Sequence, residues 1–367
     1  MGFDVYEAQE EGNGGDSRVE LLDAELTNKQ DLSIDVGLGG GNSEVVFALK
    51  VGKDLDVPVL RVPETDTFVR RRDLPNFCRG KEFGDGSPFQ MILNETLQTP
   101  RSQALIVDTF EGLEGPILNQ IRSHCPVYAI GPLHAQLKTR RSSTPMSSNC
   151  FWKDDANCMP WLNTQPSRSV IYISFGSALK LTKDQLMELW HGIMNSGKRF
   201  LLVIRPGSIA SKDCGEQIVA ELVAATPERG YLVSWAAQEA VLAHQAIGAF
   251  LTHSGWSSTA ESNIAGVPMI CWPFSADQQI QSRFVGEVWK IGLDMKDTND
   301  RVVVEKMIRE LMDNRRDEFT ERASLVAESA NKAISKGGSS YRNFDLLIEA
   351  TKTKGVKTSF GNGLSKN

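Results

Sequence analysis

The sequence predicts an α/β fold: a doubly wound parallel sheet covered by helices on both faces, with a second, shorter unit of the same kind ahead of it. Three observations carry this. From Val170 onward, short β-branched apolar runs alternate with segments of helical periodicity. The strand candidates are apolar throughout and do not alternate with polar residues, as strands buried on both faces must be. Glycine, proline or capping signals separate successive elements, so each strand returns parallel to the last through a helical crossover. The expected result is Rossmann-like.

Taken in order, residues 1–44 are acidic, glycine-rich and nearly without apolar periodicity, and are expected to be poorly ordered. Their cluster VGLGGGN has Asn42 where a dinucleotide loop needs its third glycine, so it predicts no cofactor site. Residues 45–135 read as a truncated Rossmann-like unit. A helix capped by Ser43 runs into the short strand VPVL, then come the strand ALIVDTF, a helix around residues 113–121 and the strand VYAIG. Residues 136–168, rich in Ser, Thr, Arg and Lys as far as Asp155, form the expected linker.

The second unit is expected over residues 169–352. VIYISF at 170–175 is its first strand. Thr182 and Gln185 have the spacing of a capping box, opening a helix through Leu186, Leu189, Trp190, Ile193 and Met194 that Gly197 stops. The strands RFLLVIRP, YLVSW at 231–235, AIGAFLTH at 246–253 and PMICWPF at 268–274 follow. Residues 353–367 are expected to be a disordered tail.

With 367 residues, 41% hydrophobic and 23% charged, the chain is long enough for two cores. A formal net charge of −6 gives no basic field for nucleic acid. The one basic triplet, Arg70-Arg71-Arg72, reads as a solvated face. No run reaches the roughly 18 apolar residues of a membrane span, and the opening MGFDVYEAQEEGNGG has no apolar signal core, so cytoplasmic location is expected. Six cysteines without a C-x-x-C pair and five scattered histidines predict reduced thiols and no metal site.

FLTHSGWSSTAES, residues 250–262, is the most polar strand-to-helix junction in the chain. In a doubly wound sheet ligands bind beyond the carboxyl ends of the strands, where helices present their N-termini. His253 falls at such an end, and Ser257 and Ser258 fall in the first turn of the next helix, where backbone N–H groups suit a phosphate. Glu261 returns one turn deeper on the same face, within reach of a ribose diol. Trp235, ending a neighbouring strand, offers an indole to a base, a contact worth roughly 1–3 kcal/mol. Ser258-x-x-Glu261 equally fits a capping box, and Trp235 and Trp256 equally fit core aromatics. A hydrolase pair of His253 and Ser254 is disfavoured, because no G-x-S-x-G elbow surrounds Ser254.

The whole block from Trp235 to Gln278, WAAQEAVLAHQAIGAFLTHSGWSSTAESNIAGVPMICWPFSADQQ, resembles the signature box of plant family 1 UDP-dependent glycosyltransferases. VIYISFGSALKLTKDQLMELWHGIMNSGKRFLLVIRP, FVRRRDLPNFCRG, YAIGPL and GGSSYRNFDLLIEA are also similar to that family, and the resemblance covers residues 45–351. Two of these segments, VIYISFGS… and YAIGPL, are most similar to enzymes acting on iridoid and other small terpenoid acceptors. The resemblance implies a GT-B fold, two Rossmann-like domains facing across a cleft, the N-terminal one incomplete here.

It further implies that Trp235, with Ala236 beside it, stacks on uracil while Gln238 helps hold the uridine. Glu261 binds the ribose hydroxyls. His253, Ser257, Ser258 and Ser177 hold the diphosphate. Trp256, Asp277 and Gln278 contact the sugar, Gln278 favouring glucose. The implied reaction is inverting, metal-independent transfer from UDP-glucose as co-substrate to a hydroxyl or carboxyl of a small plant metabolite, by a monomer. Ser257 stands where the family usually has Asn, Ser254 where Cys is common and Ala237 where Pro is common; the shorter Ser257 hydroxyl weakens donor binding.

An inverting transferase needs a base for the acceptor proton. The family's N-terminal base histidine and its aspartate have no counterpart: His124, His134, His191, His244 and His253 all lie beyond the first hundred residues. Asn42-Ser43-Glu44 stands where the aspartate belongs, and VPVL runs into RVPETDTF where the family has an intervening helical stretch. A catalytically impaired remnant that binds UDP-sugar is therefore the second reading. A carboxylate acceptor would lessen the need for a base, being ionised at neutral pH.

Overall fold

The computed structural model describes residues 5–8, 19–22, 55–59, 68–78, 87–140, 154–210, 215–296 and 298–354. In chain order its elements are β1 (Val5–Ala8), β2 (Val19–Leu22), α1 (Pro88–Gln98), β3 (Leu105–Val107), α2 (Glu111–Arg122), β4 (Val127–Ala129), α3 (Leu133–Arg140), α4 (Cys158–Asn163), β5 (Val170–Ser174), α5 (Lys183–Ser196), β6 (Arg199–Val203), α6 (Gly215–Ala224), β7 (Gly230–Val233), α7 (Gln238–Leu242), β8 (Ile247–Thr252), α8 (Trp256–Ala265), β9 (Met269–Cys271), α9 (Gln278–Arg283), β10 (Gly292–Asp294), α10 (Arg301–Arg309), α11 (Arg316–Ile334) and α12 (Ser339–Lys354). They form two compact units, one of residues 1–100 and 145–328, the other of residues 101–144 and 329–367.

The first unit is built on a six-stranded sheet in the order β10-β9-β8-β5-β6-β7. Every pairing in it is parallel. Counted from β5 as first, the order read from β7 is 3-2-1-4-5-6, that of a dinucleotide-binding sheet, with its reversal between β5 and β8. Alternate residues of each strand serve opposite cores. Ile171, Ile173, Phe200, Leu202 and Leu251 pack under α5, α6 and α10. Val170, Tyr172, Leu201, Phe250 and Met269 pack with residues of α4 and α7.

Helix α5 begins as the sequence predicts, Thr182 accepting from Gln185 N–H while the Gln185 side chain accepts from Thr182 N–H. It ends at Gly197, which takes the left-handed conformation (φ 69°). Within it, Gly192 lets α10 approach: a Cβ there would lie 2.5 Å from Val304 Cβ and 2.9 Å from the Arg301 carbonyl oxygen. Leu189 and Ile193 on this helix are fully buried, each contributing about 1.5–3 kcal/mol from burial alone.

The basic triplet is not a solvated face. Residues 71–73 form a short 3-10 turn in which Arg71 is 4% exposed and Asp73 0%. Asp73 pairs with Arg70, Arg283 and Lys296, while Arg70 and Arg72 both pair with Asp56. Burial works to raise the Asp73 pKa, but hydrogen bonds from Arg70 and Lys296 outweigh it and hold the carboxyl below its usual range. Asp73 directly follows the triplet, but Asp56, Arg283 and Lys296 come from elsewhere in the chain, where a local reading does not find them.

The second unit contains the parallel pair β3 and β4, with Leu105 opposite Val127. Helix α2 carries Pro116 and breaks helical geometry at Glu114 (φ −128°). Helix α12 belongs here and not, as expected, with the donor-side domain drawn over 169–352: Asn343 Nδ2 donates to the Ala129 carbonyl at 2.9 Å and the buried Gln136 amide donates to the Ser340 carbonyl at 3.0 Å. Arg140 lies 3.8 Å over the Tyr341 ring.

The expected linker 136–168 is structured at both ends, beginning within α3 and containing α4, whose Cys158 and Leu162 are buried in a sheet core. VPVL is no strand among the described residues; Pro58 makes an isolated antiparallel bridge to Arg70. From segment 1–44 only β1 and β2, an antiparallel pair, are described. The expected helix from Ser43, the VGLGGGN cluster and residues 355–367 lie outside the described residues.

Candidate functional site

The reversal of strand order opens a place for a ligand between the loops that leave β5 and β8. His253 follows β8, and Gly176 and Ser177 follow β5. The imidazole sits in a slot between two glycines. A Cβ on Gly176 would lie 2.7 Å from His253 Cε1, and one on Gly255 would lie 2.6 Å from Nε2, so neither position has room for a side chain. Gly176 also has φ 69°, which disfavours any other residue.

Burial pushes the His253 pKa down to about 4, against an opposing pull from Asp277, so the ring is neutral at pH 7. Thr252 Oγ1 accepts from Ser254 N–H at 3.3 Å, and lies 3.5 Å from His253 Nδ1. A hydroxyl carries one proton and two lone pairs, so this contact fits a ring proton on Nε2, with the hydroxyl donating to Nδ1, as well as the opposite tautomer. Ser254 is 0% exposed with φ 63°, which removes it as a nucleophile paired with His253.

Helix α8 is capped by Gly255, which makes no side-chain capping bond. Ser257 and Ser258 are therefore its second and third residues, with N–H groups that have no carbonyl four residues back within the helix. The same register rules out Ser258 and Glu261 as a capping box. Both turn instead to Gln238, the first residue of α7, whose Nε2 donates to Ser258 Oγ at 2.9 Å and to Glu261 Oε2 at 2.6 Å. Gln238 Oε1 in turn accepts from the Tyr172 hydroxyl at 3.4 Å. Tyr172 is fully buried in the middle of β5, and burial raises its pKa, so it stays a neutral donor.

Trp235 and Ala236 lie between β7 and α7. The Trp235 carbonyl accepts from Asp155 N–H at 3.0 Å, its indole N–H is buried without a hydrogen-bond partner, and Ala236 is buried. The Trp256 ring meets Trp289 edge-on with centroids 6.4 Å apart. Asp277 and Gln278 stand at the start of α9, where Gln278 Oε1 accepts from Phe274 N–H at 2.9 Å and from Ser275 N–H at 3.1 Å. The Gln278 NH2 is then the end that can donate to a ligand.

The fold thus joins Gln238, Ser258 and Glu261 directly and sets His253 against the loop that carries Ser177. Sequence reasoning passed over Tyr172, because a tyrosine in an apolar strand carries no mark of its hydroxyl's partner, and Thr252, which reads as an ordinary strand residue. Among the described residues no group of three or more His, Cys, Asp or Glu could hold a metal ion, and no helix is long and apolar enough to cross a membrane.

Residues 146–318 match the family described as UDP-glucoronosyl and UDP-glucosyl transferase. A 7-deoxyloganetic acid glucosyltransferase of Catharanthus roseus is 55% identical over 307 residues, covering 82% of this chain and 64% of that protein. A 7-deoxyloganetin glucosyltransferase of the same plant is 38% identical over 292 residues, covering 78% and 59%. Among solved structures, that of Os79 from O. sativa in complex with UDP is similar with a TM-score of 0.68 and 30% identity, over 76% of this chain and 62% of that one. The chain spans less than two thirds of the length of the curated relatives it matches.

Proposed function

This chain belongs to the UDP-glucoronosyl and UDP-glucosyl transferase family, in its plant branch, and from that membership we propose that it transfers glucose from UDP-glucose to a small plant metabolite of the iridoid or terpenoid class. Its fold is GT-B. The observation that carries the reading is the bridge from Gln238 to Ser258 and Glu261 at the start of α8, where the cap has no side chain, beside a neutral His253 held between two glycines.

In this reading Trp235 takes the uracil, with Ala236 beside it, and Glu261 and Gln238 take the ribose. The N–H groups of Ser257 and Ser258, the His253 Nε2–H and Ser177 take the diphosphate. Trp256, Asp277 and Gln278 take the sugar. As the acceptor oxygen attacks the anomeric carbon from the opposite face, the bond from that carbon to the phosphate oxygen breaks and UDP leaves with the electron pair. Helix-start amides and the His253 N–H meet the charge that develops there, which is where fixed donors lower a barrier most. Because His253 is neutral before the donor binds, it acts through a hydrogen bond and not through a resident positive charge.

Glucose transfer is favoured over a binding-only remnant by the 55% identity to a glucosyltransferase acting on an acid. We take the acceptor to carry a carboxyl, which is already ionised at pH 7 and needs no base. His244 serves structure, with Nε2 3.0 Å from Asn163 Oδ1 and Nδ1 accepting from Ala246 N–H. The transferase is further taken to act as a cytosolic monomer, without a metal ion. Calorimetry with UDP tests the donor site: Trp235→Ala and Glu261→Ala should each weaken binding at least about fivefold, in line with a stacking contact or charged hydrogen bonds worth about 1–3 kcal/mol. Undiminished affinity in both variants rejects the site. Product formation from UDP-glucose with iridoid, phenolic and carboxylic acceptors tests the transfer.

A further inference from the structure

The loop before α9 is held from outside the signature block. Three successive backbone N–H groups there are engaged by side chains: those of Phe274 and Ser275 by Gln278 Oε1, and that of Ala276 by Asn76 Oδ1 at 3.0 Å. Ala276 has φ 55°, a left-handed conformation that a residue with a Cβ keeps only when its surroundings enforce it. The next two residues are Asp277 and Gln278. Asn76 therefore fixes the turn immediately before the two side chains assigned to the donor sugar, although it lies 200 residues away in sequence.

Asn76 is itself seated by a buried cluster. Arg283, the last residue of α9, donates from Nε to the Phe68 carbonyl at 2.8 Å and lies 3.5 Å from Asp73. Lys296 bridges Asp73 to Asp294 at the end of β10, and Asp294 accepts from the Ser282 hydroxyl on α9 at 2.5 Å. The Phe68 ring stands edge-on to Phe284 with centroids 5.2 Å apart. Residues 68–78 are thus fastened to both ends of α9, by charge at its C-terminus and by the Asn76 amide just ahead of its N-terminus.

We propose that Asn76 is a positioning residue for donor-sugar recognition, setting through Ala276 where Asp277 and Gln278 meet the hexose. The proposal rests on the donor-site reading above. Its consequence is selective: the nucleotide contacts sit on α7, α8 and the loops after β5, β7 and β8, and none on the Ala276 turn, so loss of the Asn76 bond leaves UDP alone and changes only how the sugar is held.

Calorimetry with UDP and with UDP-glucose on the full chain tests this. In Asn76→Ala the ratio of the two dissociation constants, UDP-glucose over UDP, should rise about three- to tenfold, the equivalent of one lost hydrogen bond. Asn76→Asp, which keeps an acceptor oxygen at the same reach, should stay near the wild-type ratio. Asn76 is exposed, so both variants should stay folded and unfold within a few degrees of the wild-type temperature. A ratio unchanged in Asn76→Ala, equal weakening of both ligands, or an Asn76→Asp as impaired as Asn76→Ala overturns the proposal while leaving the donor site standing. A wild-type chain that binds neither ligand overturns the donor site and this inference together.

Discussion

The two units use the same strand-and-helix grammar to different depth. In the first, six parallel strands are covered on both faces, and the loops after β5 and β8 hold His253 between glycines. In the second, among the described residues, two parallel strands pair and Ile106 at the centre of one of them is 53% exposed. The difference teaches that covering both faces of a sheet fixes where the loops at its strand ends stand, a support that a strand with an exposed central residue lacks on that face. In the proposed reading the nucleotide falls to the unit whose sheet is covered in this way.

The contrast is sharpest in stability. Ile193→Ala in α5 removes a fully buried side chain between the sheet and α10 and should cost about 2–5 kcal/mol in denaturant unfolding. Ile106→Ala should cost less than about 0.5 kcal/mol, as an exposed substitution does. Comparable losses at the two positions would mean that the units are equally packed.

A smaller effect follows from His253. Its folded-state pKa, about 4, lies below the ordinary value of 6.5. Between those values the unfolded chain takes up a proton that the native ring refuses, so stability is fully present above pH 6.5 and declines as pH falls toward 4. His253→Gln should flatten the melting temperature over that window. A wild-type curve already flat there would show that the ring protonates normally in the fold.

What was legible in the sequence was local. The Thr182 to Gln185 box, the Gly197 stop and the apolar strands are short-range signals, and the structure reproduces them with strand ends trimmed by up to three residues. The polar junction at 250–262 was legible for the same reason, since strand end and helix start are neighbours in the chain. Its register was not: Ser258 with Glu261 fits a cap until Gly255 is seen to occupy the cap three residues earlier.

Long-range partners were illegible. Arg71 looks solvated because nothing nearby in sequence reveals its burial. Helix α12 looks like the end of the donor-side domain because its bond to Ala129 spans 214 residues. Asn76 and Ala276, 200 apart, carry no shared pattern at all.

The central claim is that an indole, a carboxylate and the start of one helix serve a single nucleotide. A crystal structure of the chain with UDP measures this directly. The account predicts uracil against Trp235, ribose hydroxyls on Glu261 and phosphate oxygens within hydrogen-bond distance of His253 Nε2 and the N–H groups of Ser257 and Ser258. UDP bound anywhere else in the first unit, or these groups turned away from it, would contradict it.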